Sequence, residues 1–181
     1  AELVALALFQ ANCEANSIVD GPWLDLQNGV LVPVDEIGDF APITTAPVVD
    51  DIARRADFIH ISAPSRGPLE FRFVEVKHRL HLRTARQPEM LAHMVAQTSE
   101  LRRRWMDWFF GERQSPLERS VRRSQLSRLL RFYVERASRH LLTAAARHRL
   151  LDEVDQLLVK ENYVPGDLEK PDVGYVFCPE H

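Results

Sequence analysis

The chain has 181 residues, of which 45% are hydrophobic and 27% charged, and its formal net charge is −3. This size and composition suit one compact domain with a real core and exclude a chain that is disordered throughout. No run approaches the roughly eighteen apolar residues of a membrane span. The N-terminal segment opens with Glu2 and lacks a basic region, so a signal peptide fits poorly. We therefore expect a cytoplasmic protein without a membrane partner. Because it begins with Ala1, an origin as part of a longer protein stays open.

Charge is distributed unevenly along the sequence. Between Arg79 and Arg149 lie sixteen arginines and six acidic residues, a net charge of +10, whereas the rest of the chain carries −13. The planar guanidinium group of arginine suits phosphate recognition. The basic segment therefore predicts a surface that faces nucleic acid. The alternative is a solvated helix face that pairs with the acidic remainder.

The first third of the chain predicts a helix followed by a hairpin. Residues 1–16 are apolar at helical spacing. The Asn28-Gly29 pair stands between alternating apolar residues, which predicts a tight turn between strands at about 23–27 and 30–34.

A second strand pair follows at DFIHISA (57–63) and LEFRFVEVK (69–77). Their short connection contains proline and glycine, which predicts an antiparallel hairpin. Side chains alternate along a strand, so Glu75 and Lys77 share one face. Antiparallel pairing brings Asp57, at the start of the first strand, close to them.

Beyond Lys77 the sequence predicts helices. A helix is expected over 87–110, and a second begins at the capping box formed by Ser115 and Glu118, with Pro116 in its first turn. A third helix covers about 146–161, and a strand closes the chain near 173–178.

This order of elements predicts a single mixed α/β domain with a partly antiparallel sheet flanked by helices. Its core spans 1–110 and 171–181. The arginine-rich residues 111–170 are expected to be a helical insertion.

Two carboxylates and a lysine at one sheet edge indicate metal chemistry. Hard cations such as Mg²⁺ prefer carboxylate oxygens. A cation held by Asp57 and Glu75 would acidify a water and neutralise a phosphate, while Lys77 would position or activate the nucleophile. Zinc is not favoured, because the two cysteines lack the spacing of a zinc site.

The Asp57 strand and the Glu75-x-Lys77 strand resemble the active-site hairpin of the PD-(D/E)xK, or restriction-endonuclease-like, nuclease superfamily. The resemblance implies that fold and a Mg²⁺- or Mn²⁺-dependent endonuclease or exonuclease acting on DNA. It also implies that Asp57 and Glu75 bind the metal and that Lys77 lies beside the attacking water. Many members add a glutamate from the first helix, for which Glu14 and Glu2 are the candidates. Some carry a Gln-x-x-x-Tyr motif on the helix after the Glu-x-Lys strand, where this chain has Gln97 followed by Leu101.

Two arginine clusters are candidate DNA contacts, namely Arg102, Arg103 and Arg104, and Arg119, Arg122 and Arg123. A nuclease of this kind can be coupled to a translocase or helicase in DNA restriction, defence or repair. Two other classes stay open. In one, the domain is a catalytically silent DNA-binding or assembly module. In the other, the arginine-rich helices form the interface of a homo-oligomer or bind a partner.

Overall fold

A computed structural model describes most of the chain. The described residues are 7, 9, 11–12, 24–37, 56–64, 67–78, 88–112, 114–161, 163–166 and 172–177. Residues 7, 9, 11 and 12 are helical, and the rest of the helix predicted over 1–16 lies outside the described residues.

Four strands form one mixed sheet in the order β1-β2-β3-β4. The strands are β1 (Gly29–Pro33), β2 (Phe58–Ser62), β3 (Glu70–His78) and β4 (Val173–Phe177). Pairing is antiparallel between β1 and β2 and between β2 and β3, and parallel between β3 and β4. The α/β class, the β2–β3 hairpin and the closing strand are therefore confirmed.

The hairpin predicted around Asn28-Gly29 is wrong. Residues 24–28 are not in a strand, and β1 pairs with β2 instead. The carboxylate of Asp25 accepts hydrogen bonds from the backbone N–H groups of Gln27, at 3.0 Å, and Asn28, at 3.2 Å. Such a side chain satisfies turn N–H groups locally, in competition with strand pairing.

Three long helices follow the hairpin: α1 (Pro88–Phe110), α2 (Pro116–Ala137) and α3 (Ala144–Val159). The predicted capping box starts α2. Ser115 Oγ accepts from Glu118 N at 3.3 Å, and Glu118 Oε2 accepts from Ser115 N at 2.8 Å. These two bonds satisfy N–H groups that have no partner within the helix. No helix among the described residues is both long and apolar enough to cross a membrane.

Different groups of residues pack on the two faces of the sheet. On one face Phe71 and Phe73 pack with all three helices around the fully buried Trp105. The other face packs Val74 and Val76 of β3 against a smaller apolar cluster. Helices α2 and α3, which lie within the predicted insertion 111–170, contribute to the first of these clusters. The alternation along β3 is the predicted one, and it places Glu75 on the face covered by α1.

Candidate functional site

Asp57 is fixed immediately before β2 by three hydrogen bonds. Its backbone N–H donates to Val74 O at 3.0 Å, and its carbonyl accepts from Val34 N at 3.0 Å. Its carboxylate Oδ2 accepts from the backbone N–H of Val76 at 2.7 Å. The Asp57 side chain is thus held against the backbone of Val76, the residue between Glu75 and Lys77.

The strand register accounts for this meeting. Phe58, the first residue of β2, pairs with Val74, so the next residue outward on each strand is Asp57 and Glu75. β3 continues past the end of β2 and pairs there with β4, in the register Glu75–Gly174 and Lys77–Val176. The predicted convergence of Asp57, Glu75 and Lys77 is therefore present in the geometry.

Glu75 is completely buried, whereas the Lys77 side chain retains 26% of its exposure, and the two form an ion pair through Lys77 Nζ and Glu75 Oε1. The Glu75 carboxylate also interacts with the side chain of Asp57. Burial raises the pKa of the Glu75 carboxyl to about 7; the Lys77 contact opposes this and the charge of Asp57 adds to it. A carboxyl this poorly solvated gains from any further cation at its oxygens.

The donor set fits a hard divalent cation. Glu75 supplies a completely buried carboxylate in contact with Lys77, and Asp57 supplies a second carboxylate beside it. Mg²⁺ is commonly bound by one or two carboxylates and keeps several waters. The structure contains no cluster of three or more histidine, cysteine, aspartate or glutamate side chains within the residues it describes.

Of the two candidate accessory residues, Gln97 lies among the described residues and Glu14 does not. Gln97 is buried on α1, with 3% of its surface exposed. It lies one turn after Met94, whose Cε would come within 2.8 Å of a Cβ on Gly174, the register partner of Glu75. The buried face of α1 around Gln97 therefore covers the sheet at the level of Glu75. Glu14, like Glu2, lies outside the described residues.

Arg102 has a structural partner. Its guanidinium forms an ion pair with Asp172 at 2.5 Å and stacks over the Phe73 ring at 5.1 Å. Asp172 Oδ1 also accepts the backbone N–H of Phe73 at 3.2 Å. This pair ties α1 to the start of β4 and to β3.

Arg103 and Arg104 both bond Glu100 on the surface of α1, each at 2.7 Å. The hydrogen bond from Arg103 is the main reason why the pKa of Glu100 falls to about 2. Arg103 is 59% exposed and also reaches Asp107, whereas Arg104 is 25% exposed. Of the three clustered arginines, Arg103 presents most of its surface to solvent.

The second arginine cluster is mostly engaged within the fold. Arg122 lies 3.8 Å over the Trp108 ring and donates to Trp108 O at 3.1 Å. Arg123 is buried and donates to Lys160 O at 2.6 Å. Burial, and then the charge of Arg119, lower the pKa of Arg123. Arg119 itself is half-buried.

Sequence reasoning missed Asp172. It lies just before β4 and, through Arg102 and Phe73, holds the third strand and the first helix together. The signal in the sequence was an acidic residue next to the closing strand, but its partner is 70 positions away.

Comparisons with known proteins give no relative for this chain: no family model, curated protein or solved structure matches it.

Proposed function

We propose that this chain is a metal-dependent nuclease of the restriction-endonuclease-like type that hydrolyses phosphodiester bonds in DNA. The observation that carries the proposal is the hydrogen bond that the Asp57 carboxylate accepts from the backbone N–H of Val76, the residue between Glu75 and Lys77. It brings two acids and a lysine together where the inner strand β2 begins beside β3, an arrangement suited to phosphoryl chemistry.

Each of the three side chains has a distinct part in the proposed reaction. Asp57 and Glu75 would hold Mg²⁺ or Mn²⁺, which when bound lowers the pKa of a water and offsets phosphate charge. Lys77 lies at the solvent edge of the site, where its ammonium can donate a hydrogen bond to the attacking water or to a phosphate oxygen. If the Lys77 ammonium turned toward the substrate, the Glu75 carboxylate would lose its ion-pair partner. A metal cation at Glu75 would then replace that charge.

The basic segment supports DNA as the substrate class. Residues 79–149 have a net charge of +10, which attracts the negatively charged phosphates of DNA. Of the six arginines predicted to contact DNA, Arg103 is 59% exposed. Arg119 is half-buried and forms no salt bridge with the described residues, unlike the similarly exposed Arg104, which bonds Glu100. We therefore propose Arg103 and Arg119 as phosphate contacts. Arg102 and Arg123 are occupied by Asp172 and by the Lys160 carbonyl.

Plasmid cleavage by the purified chain in Mg²⁺, in Mn²⁺ and in EDTA tests the proposal. We expect cleavage in either metal and none in EDTA. Asp57→Ala, Glu75→Ala and Lys77→Ala should each lose at least about 100-fold in rate while keeping their circular-dichroism spectra. If folded variants cleave as well as the parent, the site is wrongly assigned.

The burial of Glu75 favours a second candidate. A carboxylate that is 0% exposed and ion-paired is also what a silent nuclease-like module would retain as a structural element. Such a module would bind DNA equally well in EDTA and in Mg²⁺ and would cleave it in neither, so the same experiment separates the two candidates.

A further inference from the structure

Helix α2 carries large apolar side chains on the face opposite to its core contacts. The core face buries Leu126, Leu130 and others, whereas Leu117 is 75% exposed, Val121 49% and Phe132 58%. At 100° per residue, positions 117, 121 and 132 fall within one stripe of the helix surface, together with the half-buried Ser124 and the exposed Arg128. An exposed apolar stripe of this kind is typical of a surface that packs on another protein.

The grooves beside the two ends of α2 are lined mainly by side chains of opposite charge. Beside its N-terminus a groove is lined by three carboxylates, Asp107, Glu112 and Glu118, and one arginine, Arg122. Beside its C-terminus a second groove is lined by three arginines and a single carboxylate around Phe132. Those arginines are Arg131, Arg136 and Arg139.

We propose that α2 packs antiparallel against α2 of a second copy of this chain, around a two-fold axis near Ser124 and Gln125. Leu117 and Phe132 are equally far in sequence from that midpoint, so the Leu117 of one copy lies opposite the Phe132 of the other. The same rotation sets the acidic end of each helix against the basic end of its partner. The pattern is self-complementary, as an isologous interface requires.

A nucleic-acid strand on this stripe explains less of the structure. It would be attracted to the arginines around Phe132, but the groove at the other end of α2 is lined by three carboxylates. It would also leave Leu117 without an apolar partner. Ser124 has a small side chain, which allows the two helices to approach closely at the axis.

Disulfide trapping tests the arrangement directly, in a Cys13→Ser, Cys178→Ser background. Ser124→Cys should cross-link to itself under mild oxidation, because the two positions meet near the axis. Leu117→Cys alone should not, since two copies of that position would be about 22 Å apart along antiparallel helices, beyond the reach of a disulfide. A mixture of Leu117→Cys and Phe132→Cys proteins should form the heterodimer. Val95→Cys, at an exposed position of α1, controls for random collision.

The solution mass gives an independent readout. Light scattering at up to about 100 μM should show a dimer, since a helix-pair interface lies at the small end of stable contacts. Phe132→Glu should weaken the dimer at least about tenfold, equivalent to 1.4 kcal/mol, and Val95→Glu should not. A monomer that shows no Ser124→Cys cross-link, or a Leu117→Cys protein that cross-links to itself, overturns the proposal. If Phe132→Glu instead weakens single-stranded DNA binding and leaves the mass unchanged, the stripe is a nucleic-acid surface and the proposal fails.

Discussion

The carboxylate of Asp57 accepts a hydrogen bond of 2.7 Å from the backbone N–H of Val76. β2 begins at Phe58, whose partner on β3 is Val74. Val76 therefore lies two residues beyond the segment of β3 that pairs with β2, and its N–H donates to a side chain instead. The aspartate thereby completes the hairpin and is fixed beside Glu75 and Lys77. Structure and proposed chemistry depend on the same carboxylate, and substitutions can separate the two.

Asp57→Asn and Asp57→Ala should differ in stability but share a loss of cleavage. Asparagine retains an oxygen that can accept from Val76 N–H, whereas alanine leaves that donor without its partner, at a cost of about 1–2 kcal/mol. Both lose the carboxylate that is proposed to bind the cation. Urea unfolding measures the first effect and a plasmid cleavage assay the second. Equal stability of the two variants, or an active asparagine variant, would contradict this account.

The stability of the metal-free protein should depend on the ionisation of Glu75. Burial raises the pKa of its carboxyl from 4.5 to about 7 in the folded state. The folded protein then binds more protons than the unfolded chain between these pH values, so this contribution to stability is complete below pH 4.5 and is lost as the pH rises through about 7. The loss is on the order of 3 kcal/mol.

Another buried group titrates with the opposite sign. Burial lowers the pKa of His60 from 6.5 to about 4, so its contribution to stability increases as the pH rises through that window. The Glu75 effect is therefore measured as the difference between the parent and Glu75→Gln, in EDTA, by urea unfolding at several pH values. The parent should lose stability relative to the variant as the pH increases. A difference that is independent of pH would show that Glu75 titrates normally.

Arg102→Ala should destabilise the fold far more than Arg103→Ala. Arg102 bonds Asp172 with both groups largely buried, and Asp172 also holds the Phe73 N–H. Removing one partner of such a pair costs about 3 kcal/mol or more. The Arg103 pairs are exposed, so its loss should cost less than about 1 kcal/mol. Thermal or urea unfolding of both variants checks this order of stability. If Arg102 served only to bind DNA, Arg102→Ala would be no less stable than Arg103→Ala.

The proposed phosphate contacts should appear in the salt dependence of DNA binding. An Arg103→Ala, Arg119→Ala double variant should flatten the slope of log K against log salt by at most about 1.8, because each phosphate contact contributes about 0.9. The effect should be similar for unrelated DNA sequences, since phosphate contacts do not read bases. Arg147→Ala, in the same basic segment, should leave the slope unchanged. If it flattens the slope as much as the double variant, the DNA surface lies elsewhere.

Local signals account for what the sequence predicted correctly. The Pro-Gly connection and the alternation along 69–77 were enough for the β2–β3 hairpin and for the shared face of Glu75 and Lys77. The Ser115–Glu118 capping box likewise needs only four consecutive residues. The Asn28-Gly29 turn was misread because the Asp25 carboxylate, a few residues earlier, satisfies the turn N–H groups by itself.

The roles of the arginines could not be read in the same way. Arg102 and Arg123 look identical to Arg103 and Arg119 in sequence, and only their partners distinguish them. Those partners, Asp172 and the carbonyl of Lys160, are 70 and 37 positions away. Charge composition thus identified the basic segment but not which of its side chains stabilise the fold.

The most direct measurement of the central claim is the rate of Mg²⁺-dependent DNA cleavage by Glu75→Gln compared with Glu70→Gln. The two glutamates lie on the same strand, and alternation places their side chains on opposite faces of the sheet. The chemical change is the same, so a general effect on the strand would appear in both variants. We expect Glu75→Gln to lose at least about 100-fold in rate and Glu70→Gln to cleave like the parent. Equal rates for the two folded variants, or a parent chain that cleaves no DNA in Mg²⁺ or Mn²⁺, would contradict it.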